Sequence, residues 1–123
     1  MKANVDYHAD TVLNDLGGGV SRRVLAYTPQ LMIVEVNFEK GSEGTVHTHP
    51  HCQTTYVRSG RFRFNVDGEA VEVGPGDTLA FPSGIPHGTL CLEAGTLLDI
   101  FARKKTIMVY VCNNRHIHIF TFC

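Results

Sequence analysis

The run Arg61-Phe62-Arg63-Phe64-Asn65-Val66 alternates polar and apolar residues one by one, stops at Asp67-Gly68, and resumes with Val71 and Val73. A period of two marks a strand with one buried face, because successive side chains of an extended backbone leave on opposite sides. Asp-Gly between two such runs suits a two-residue type I′ turn, in which both central residues take positive φ. The segment therefore reads as a β-hairpin. Comparable short runs, separated by turn residues, fill almost the whole chain, and no window keeps a helical period. The expected fold is all-β. Strands in this number close into a double-sheet jelly roll, which removes most free edges and leaves a pocket at one mouth. Met32, Val34, Val36 and Phe38 form one core-facing row, and Phe62 and Phe64 a second. Gly17-Gly18-Gly19 reads as a flexible lead-in to the first barrel strand. No helix pattern follows it, so it lacks the context for cradling a phosphate.

A chain of 123 residues suits one domain around one core, here residues 1–123, with the barrel spanning about 20–103. The formal net charge of -1 supplies no basic field for nucleic acid. The first residues contain no continuous apolar run of the kind that directs secretion or anchors a chain in a membrane, so a cytoplasmic location is expected, with no membrane partner. Cys52, Cys91, Cys112 and Cys123 show no Cys-x-x-Cys spacing. They read as reduced thiols rather than a disulfide framework.

The chemistry-bearing residues fall in two stretches, Gly41 to Gly60 and Gly76 to Leu90. In the first, His47, His49 and Gln53 stand at even offsets, so an extended backbone turns them to one side. Cys52, at an odd offset, turns away. His51 shares their parity, but Pro50 can break the register and leave it at the rim. In the second stretch the rigid segment Pro82-Ser83-Gly84-Ile85-Pro86 leads into His87 and aims it. Three imidazoles and an amide oxygen suit one divalent transition metal, whether zinc, nickel, manganese or iron, and a neutral oxygen donor leaves the ion strongly Lewis acidic.

Both stretches resemble the two signature motifs of the cupin superfamily. Gly41, His47, His49, Gln53 and Gly60 follow the order of the first motif, and Gly76, Pro82, Gly84 and His87 that of the second. Gln53 stands where a Glu ligand is usual, and Cys91 where an Asn often ends the second motif. The likeness narrows to the KdgF group of pectin-degradation cupins through Asp15 to Tyr27, Leu31 to Gly44 and Leu92 to Arg103, and it covers most of residues 8 to 103. The resemblance implies a cupin-type double-stranded β-helix with His47, His49, Gln53 and His87 as metal ligands. It also implies catalytic roles for Asp99 and Phe101, with Arg103 or Lys105 in the place of a basic residue that follows them.

On that likeness the substrate is a small sugar acid, a 4,5-unsaturated monouronate from pectin or alginate, converted to a linear ketonised acid. Leu97, Asp99, Phe101 and Arg103 share strand parity. Asp99 is then the proton shuttle, Phe101 packs on the sugar ring, and Arg103 pairs with the uronate carboxylate. Two alternatives use the same ligands: a cupin dioxygenase, and a non-catalytic sugar-acid-binding protein. Residues 104–123 read as a further β-hairpin around Asn113-Asn114 or as a divergent tail. Their apolar runs call for a partner surface, which implies a homodimer. His116 and His118 have metal-pair spacing but no third donor beside them in sequence.

Overall fold

The computed structural model describes residues 2–47, 52–102, 111–113 and 116–118; for Val46, His47 and the last two segments it describes the backbone alone. The elements are a single 3₁₀ turn at His8–Asp10 and ten strands: β1 (Asn14–Gly17), β2 (Val20–Tyr27), β3 (Leu31–Phe38), β4 (Glu43–His47), β5 (Cys52–Val66), β6 (Glu69–Val73), β7 (Thr78–Phe81), β8 (His87–Ala102), β9 (Val111–Asn113) and β10 (His116–His118). Eight of them form one antiparallel sheet in the order β1-β2-β3-β8-β5-β6, with β4 added on β8 and β7 on β5. The all-β expectation holds.

The two long strands organise the rest. The first half of β8 pairs with β4 and with the second half of β5. Its second half runs between β3 and the first half of β5. Each long strand thus serves two faces and bends between them. In β5 the bend changes parity: Gln53, Thr55 and Val57 are buried at odd positions, Phe62 and Phe64 at even ones. The ladder slips between Val57 and Phe62, and a slip of one residue exchanges the faces of everything beyond it. Gly60 sits in the slip with φ +81°, and a Cβ there would stand 2.5 Å from the Glu93 carbonyl oxygen. Only glycine fits both the turn and the close approach of β8.

The core lies where the faces meet, around Phe38, Val57, Phe62, Phe64, Phe81 and Leu97. Phe38 and Phe62 meet edge to face, centroids 5.3 Å apart. Met32, Val34, Val36 and Phe38 share one face of β3, as their alternation requires.

The Asp67-Gly68 turn follows expectation: Asp67 (φ 49°) and Gly68 (φ 84°) join Val66 to Glu69 in a two-residue turn with two positive φ values. The triglycine differs. Gly17 pairs with Val20, and Gly18 (φ 62°) and Gly19 (φ 84°) form a second two-residue turn, so the segment is a tight hairpin rather than a flexible lead-in. Three glycines gave no side-chain alternation from which to read a register. In the tail, the backbone of His116 lies opposite Asn113 in a separate two-stranded sheet, and the rest of the hairpin expected over 104–123 lies outside the described residues. Among the described residues no helix is long and apolar enough to cross a membrane.

The expectation for the cysteines needs correction. Cys91 is a free, buried thiol whose pKa burial raises, while Cys52 is disulfide-bonded. Sequence spacing carries no information on pairs brought together by the fold.

On the outer face of β3, Glu35 is 2% exposed. Its carboxylate meets Arg58 Nη1 at 2.9 Å, His8 Nε2 at 3.2 Å and Arg23 Nε at 3.6 Å, which ties the N-terminal segment to β2 and β5. Burial alone would raise the Glu35 pKa. The hydrogen bond from His8 and the charge of Arg58 outweigh it and leave the pKa below the usual carboxylate value of 4.5.

Two outcomes are expected. Gly60→Ala should destabilise the fold by at least about 1–3 kcal/mol, the usual cost of overpacking a tight site, seen as a lower urea midpoint; an unchanged midpoint would show that β8 gives way freely. A carboxylate whose pKa is depressed by folding stabilises above its unfolded pKa and loses that contribution as pH falls through its folded pKa. Glu35→Gln should therefore lower stability at pH 7 and reduce the further loss on acidification below about pH 4.5, measured by urea unfolding at both pH values.

Candidate functional site

Direct partners across antiparallel strands share a face, so the register of β3, β8 and β5 sorts the inner side chains into rows. One row is Val34–Asp99–Thr55, and the next is Met32–Phe101–Gln53. Val34, Asp99, Met32, Phe101 and Gln53 of these rows form one wall of a cavity of about 300 Å³, with Thr55 buried behind it, and His87 lines the cavity from the start of β8. The volume is at the small end of the range for small-molecule sites, and most of the lining is apolar, which is typical of them.

Two features fix the His87 ring, which is 4% exposed. Phe81 stacks on it at 4.4 Å between centroids and 18° between planes. The Ile85 carbonyl lies 2.9 Å from Nδ1. The approach segment is itself held: Ile85 N–H donates to Pro82 O, and Asp67 N–H in the hairpin turn donates to Pro86 O. The rigid approach inferred from Pro82 to Pro86 is therefore present, and a turn on another strand braces it.

A series of hydrogen bonds then crosses the wall. Gln53, 5% exposed, donates from Nε2 to Thr55 Oγ1 at 3.0 Å, and Thr55, fully buried, donates its hydroxyl proton to Asp99 Oδ1 at 2.7 Å. This order orients the Gln53 amide, leaving Oε1 toward His87 Nε2 at 3.1 Å. A carbonyl can only accept, so Ile85 O places a ring proton on Nδ1, and neutral imidazole then has a lone pair at Nε2. Two acceptors facing each other at this distance call for a positive centre, either a second ring proton or a bound cation. The donor set fits a divalent metal. Fixing the tautomer from the far ring nitrogen is the usual way a protein prepares a histidine ligand.

Of the other expected ligands, His47 lies on β4, its backbone opposite His87 in the β4–β8 ladder. Its side chain, and His49, His51, Arg103 and Lys105 altogether, lie outside the described residues. Among those described, no three His, Cys, Asp or Glu side chains cluster closely enough to hold an ion. The structure brings Gln53, His87, Asp99 and Phe101 to one cavity. Sequence reasoning missed Thr55, the link between Gln53 and Asp99. The available signal was its parity with Gln53, two residues away on the same strand.

An eight-stranded antiparallel sheet whose two long strands bend between faces, with an apolar cavity and polar side chains converging from β5 and β8, defines a double-stranded β-helix. Residues 34–101 match the cupin domain, and the chain belongs to the cupin family. Within it, the chain is 36% identical over 98 residues to the pectin degradation protein KdgF of Dickeya dadantii (strain 3937), spanning 78% of this chain and 89% of that one. An RmlC-like cupin from Shewanella frigidimarina NCIMB 400 superposes with a TM-score of 0.78 at 36% identity, covering 85% of this chain and 94% of the other. KdgF from Halomonas sp. gives 0.77 at 33% identity, covering 83% and 96%.

Replacing Thr55 tests the hydrogen-bonded series. Thr55→Val keeps the shape but removes one bond from Gln53 and one from the Asp99 carboxylate, a loss of about 1.5–3 kcal/mol. Thr55→Ser keeps the hydroxyl and should be much milder. Urea unfolding of both variants checks this, and equal stabilities would show that the hydroxyl carries nothing.

Proposed function

We propose that the protein opens the ring of a 4,5-unsaturated monouronate derived from pectin or alginate, giving the linear α-keto acid. The reading rests on one observation above others: Asp99 is hydrogen-bonded through Thr55 to Gln53, which faces His87, in a chain 36% identical to a pectin degradation protein KdgF. His47, His49, Gln53 and His87 would hold one divalent metal. Such an ion supplies positive charge where an oxygen of the substrate becomes anionic.

The remaining work falls to side chains. Asp99 takes the proton of the anomeric hydroxyl, C1=O forms, and the C1–O5 bond breaks with its electron pair left on the former ring oxygen. The same carboxyl returns the proton to C4, and the enolate becomes the ketone next to the acid. No electron is gained or lost. One group serves both transfers because the proton it accepts is the proton it later delivers. The Thr55 hydroxyl holds Oδ1, which restricts how the carboxylate turns. Phe101, on the row beyond Asp99, presents an apolar face for the ring. Apolar walls formed by Met32, Val34 and Leu97 limit water around the enolate.

A homodimer belongs to the same reading. Val5, Tyr7, Val12, Leu13 and Leu16 leave an exposed apolar stretch near the N-terminus, which a second copy can cover.

The assay is loss of the conjugated double bond's ultraviolet absorbance above the spontaneous rate, without oxygen uptake. Wild-type protein should accelerate it, chelation should abolish the acceleration, and Asp99→Asn should lower the rate about 10²- to 10⁴-fold, as loss of one positioned acid/base does. Oxygen consumption during turnover would point to a dioxygenase. Binding without turnover would point to a sugar-acid receptor.

A further inference from the structure

Two adjacent arginines on β2 face opposite ways. Arg23 turns to the outer face, where Nη1 donates to the Thr11 carbonyl at 2.9 Å and Nε stands 3.6 Å from the Glu35 carboxylate. Arg22 pairs with Val36, which pairs with Leu97, so it belongs to the inner face beside the Val24–Val34–Asp99–Thr55 row. It lines the same cavity as Gln53, His87 and Asp99. On β2 its same-face neighbours are Val20 and Val24, and across the ladder its partners are Val36 on β3 and Asn14 on β1. The carboxylates of the described ion pairs go to His8, Arg23, Arg58 and Arg63, and none goes to Arg22.

An exposed guanidinium that lines a cavity, without a countercharge among the described residues, is suited to an anionic ligand. Its planar fork matches a carboxylate in bidentate fashion. The register fixes where that carboxylate would lie. Arg22 is two strands from Asp99 and one inward position along, roughly 10 Å across the sheet and 7 Å along it between Cα atoms. After both side chains reach inward, the gap suits one six-membered ring. The negative charge of Asp99 also repels the anionic end of the ligand, so the two residues set its direction.

We propose that Arg22 binds the carboxylate of the substrate and that the site selects sugar acids over neutral sugars by this contact; the proposal rests on the ring-opening reading for the identity of the acid. It places the anion near β2, two strands away from β8 in the same sheet, and not at the end of β8, where the basic residue after Phe101 had been expected to hold it. Arg22 orients the ring with its carboxylate outward and its anomeric end toward Asp99.

The test uses full-length protein and two probes that do not react, D-galacturonate and its methyl ester, with calorimetry, alongside turnover of the unsaturated monouronate. Arg22→Ala should fold normally, because the side chain is exposed where it lines the cavity and bonded to none of the described residues. In this variant, KM should rise about 10- to 100-fold, the loss expected for a charge-assisted hydrogen-bonded pair, with kcat changed only a few-fold. Wild-type protein should prefer the acid to the ester, Arg22→Ala should lose that preference, and Arg22→Lys should recover part of it. An Arg22→Ala variant that keeps the wild-type KM and preference for the acid overturns the assignment, as does wild-type protein that binds neither probe. If wild-type protein fails to turn over the unsaturated acid yet prefers galacturonate to its ester through Arg22, the ring-opening reading falls and the carboxylate site stands.

Discussion

The ladder between β5 and β8 carries both the core and the site, because each of these strands serves two faces of the barrel. Along one half it brings Phe62 against Cys91 and Phe64 against Thr89. Along the other it sets Thr55 opposite Asp99 and Gln53 opposite Phe101. The packing that stabilises the domain and the contacts that align the polar side chains are thus consecutive stretches of one pairing. An error in that register would misplace both, which makes strand pairing a tighter constraint on the site than any one of its hydrogen bonds.

Within the site, order spreads from acceptors that cannot change role. The Ile85 carbonyl sets the proton on one side of His87, and the Asp99 carboxylate, as an acceptor, sets the direction of the Thr55 hydroxyl. Gln53 is left with one orientation consistent with both. Such a series is stiff because reversing any member costs its neighbours their partners. At its end Gln53 Oε1 meets His87 Nε2, and the stacked Phe81 ring keeps His87 from turning away from it.

Much of this was legible in the sequence. Alternation gave the strand from Arg61 to Val66, Asp67-Gly68 gave its turn, and Pro82 to Pro86 gave the braced approach to His87. Gln53, His87, Asp99 and Phe101 lie on the expected faces. The failures have separate causes. Gly17 to Gly19 lacks side chains from which to read a register, and the Cys52 bond depends on distance in space, which spacing in sequence does not report. Thr55 and Arg22 belong to no signature motif, and nothing in their spacing from the expected ligands singled them out. Thr55 shares parity with Gln53, which was assigned to the interior, and that was the usable signal for it.

The parity change at Gly60 has a consequence for how such a chain can vary. On either side of it β5 obeys a strict two-residue code, but the two codes are out of phase, and the offset is stored in the number of residues between Val57 and Phe62. Exchanging residue types in this interval, Gly60 apart, leaves the phase intact. Adding or deleting one residue does not, since either Gln53 and Thr55 or Phe62 and Phe64 must then face water. The interval therefore behaves as a counter: its length is the information, and relatives that keep both the cavity and the aromatic core should differ there by substitution and never by a single insertion.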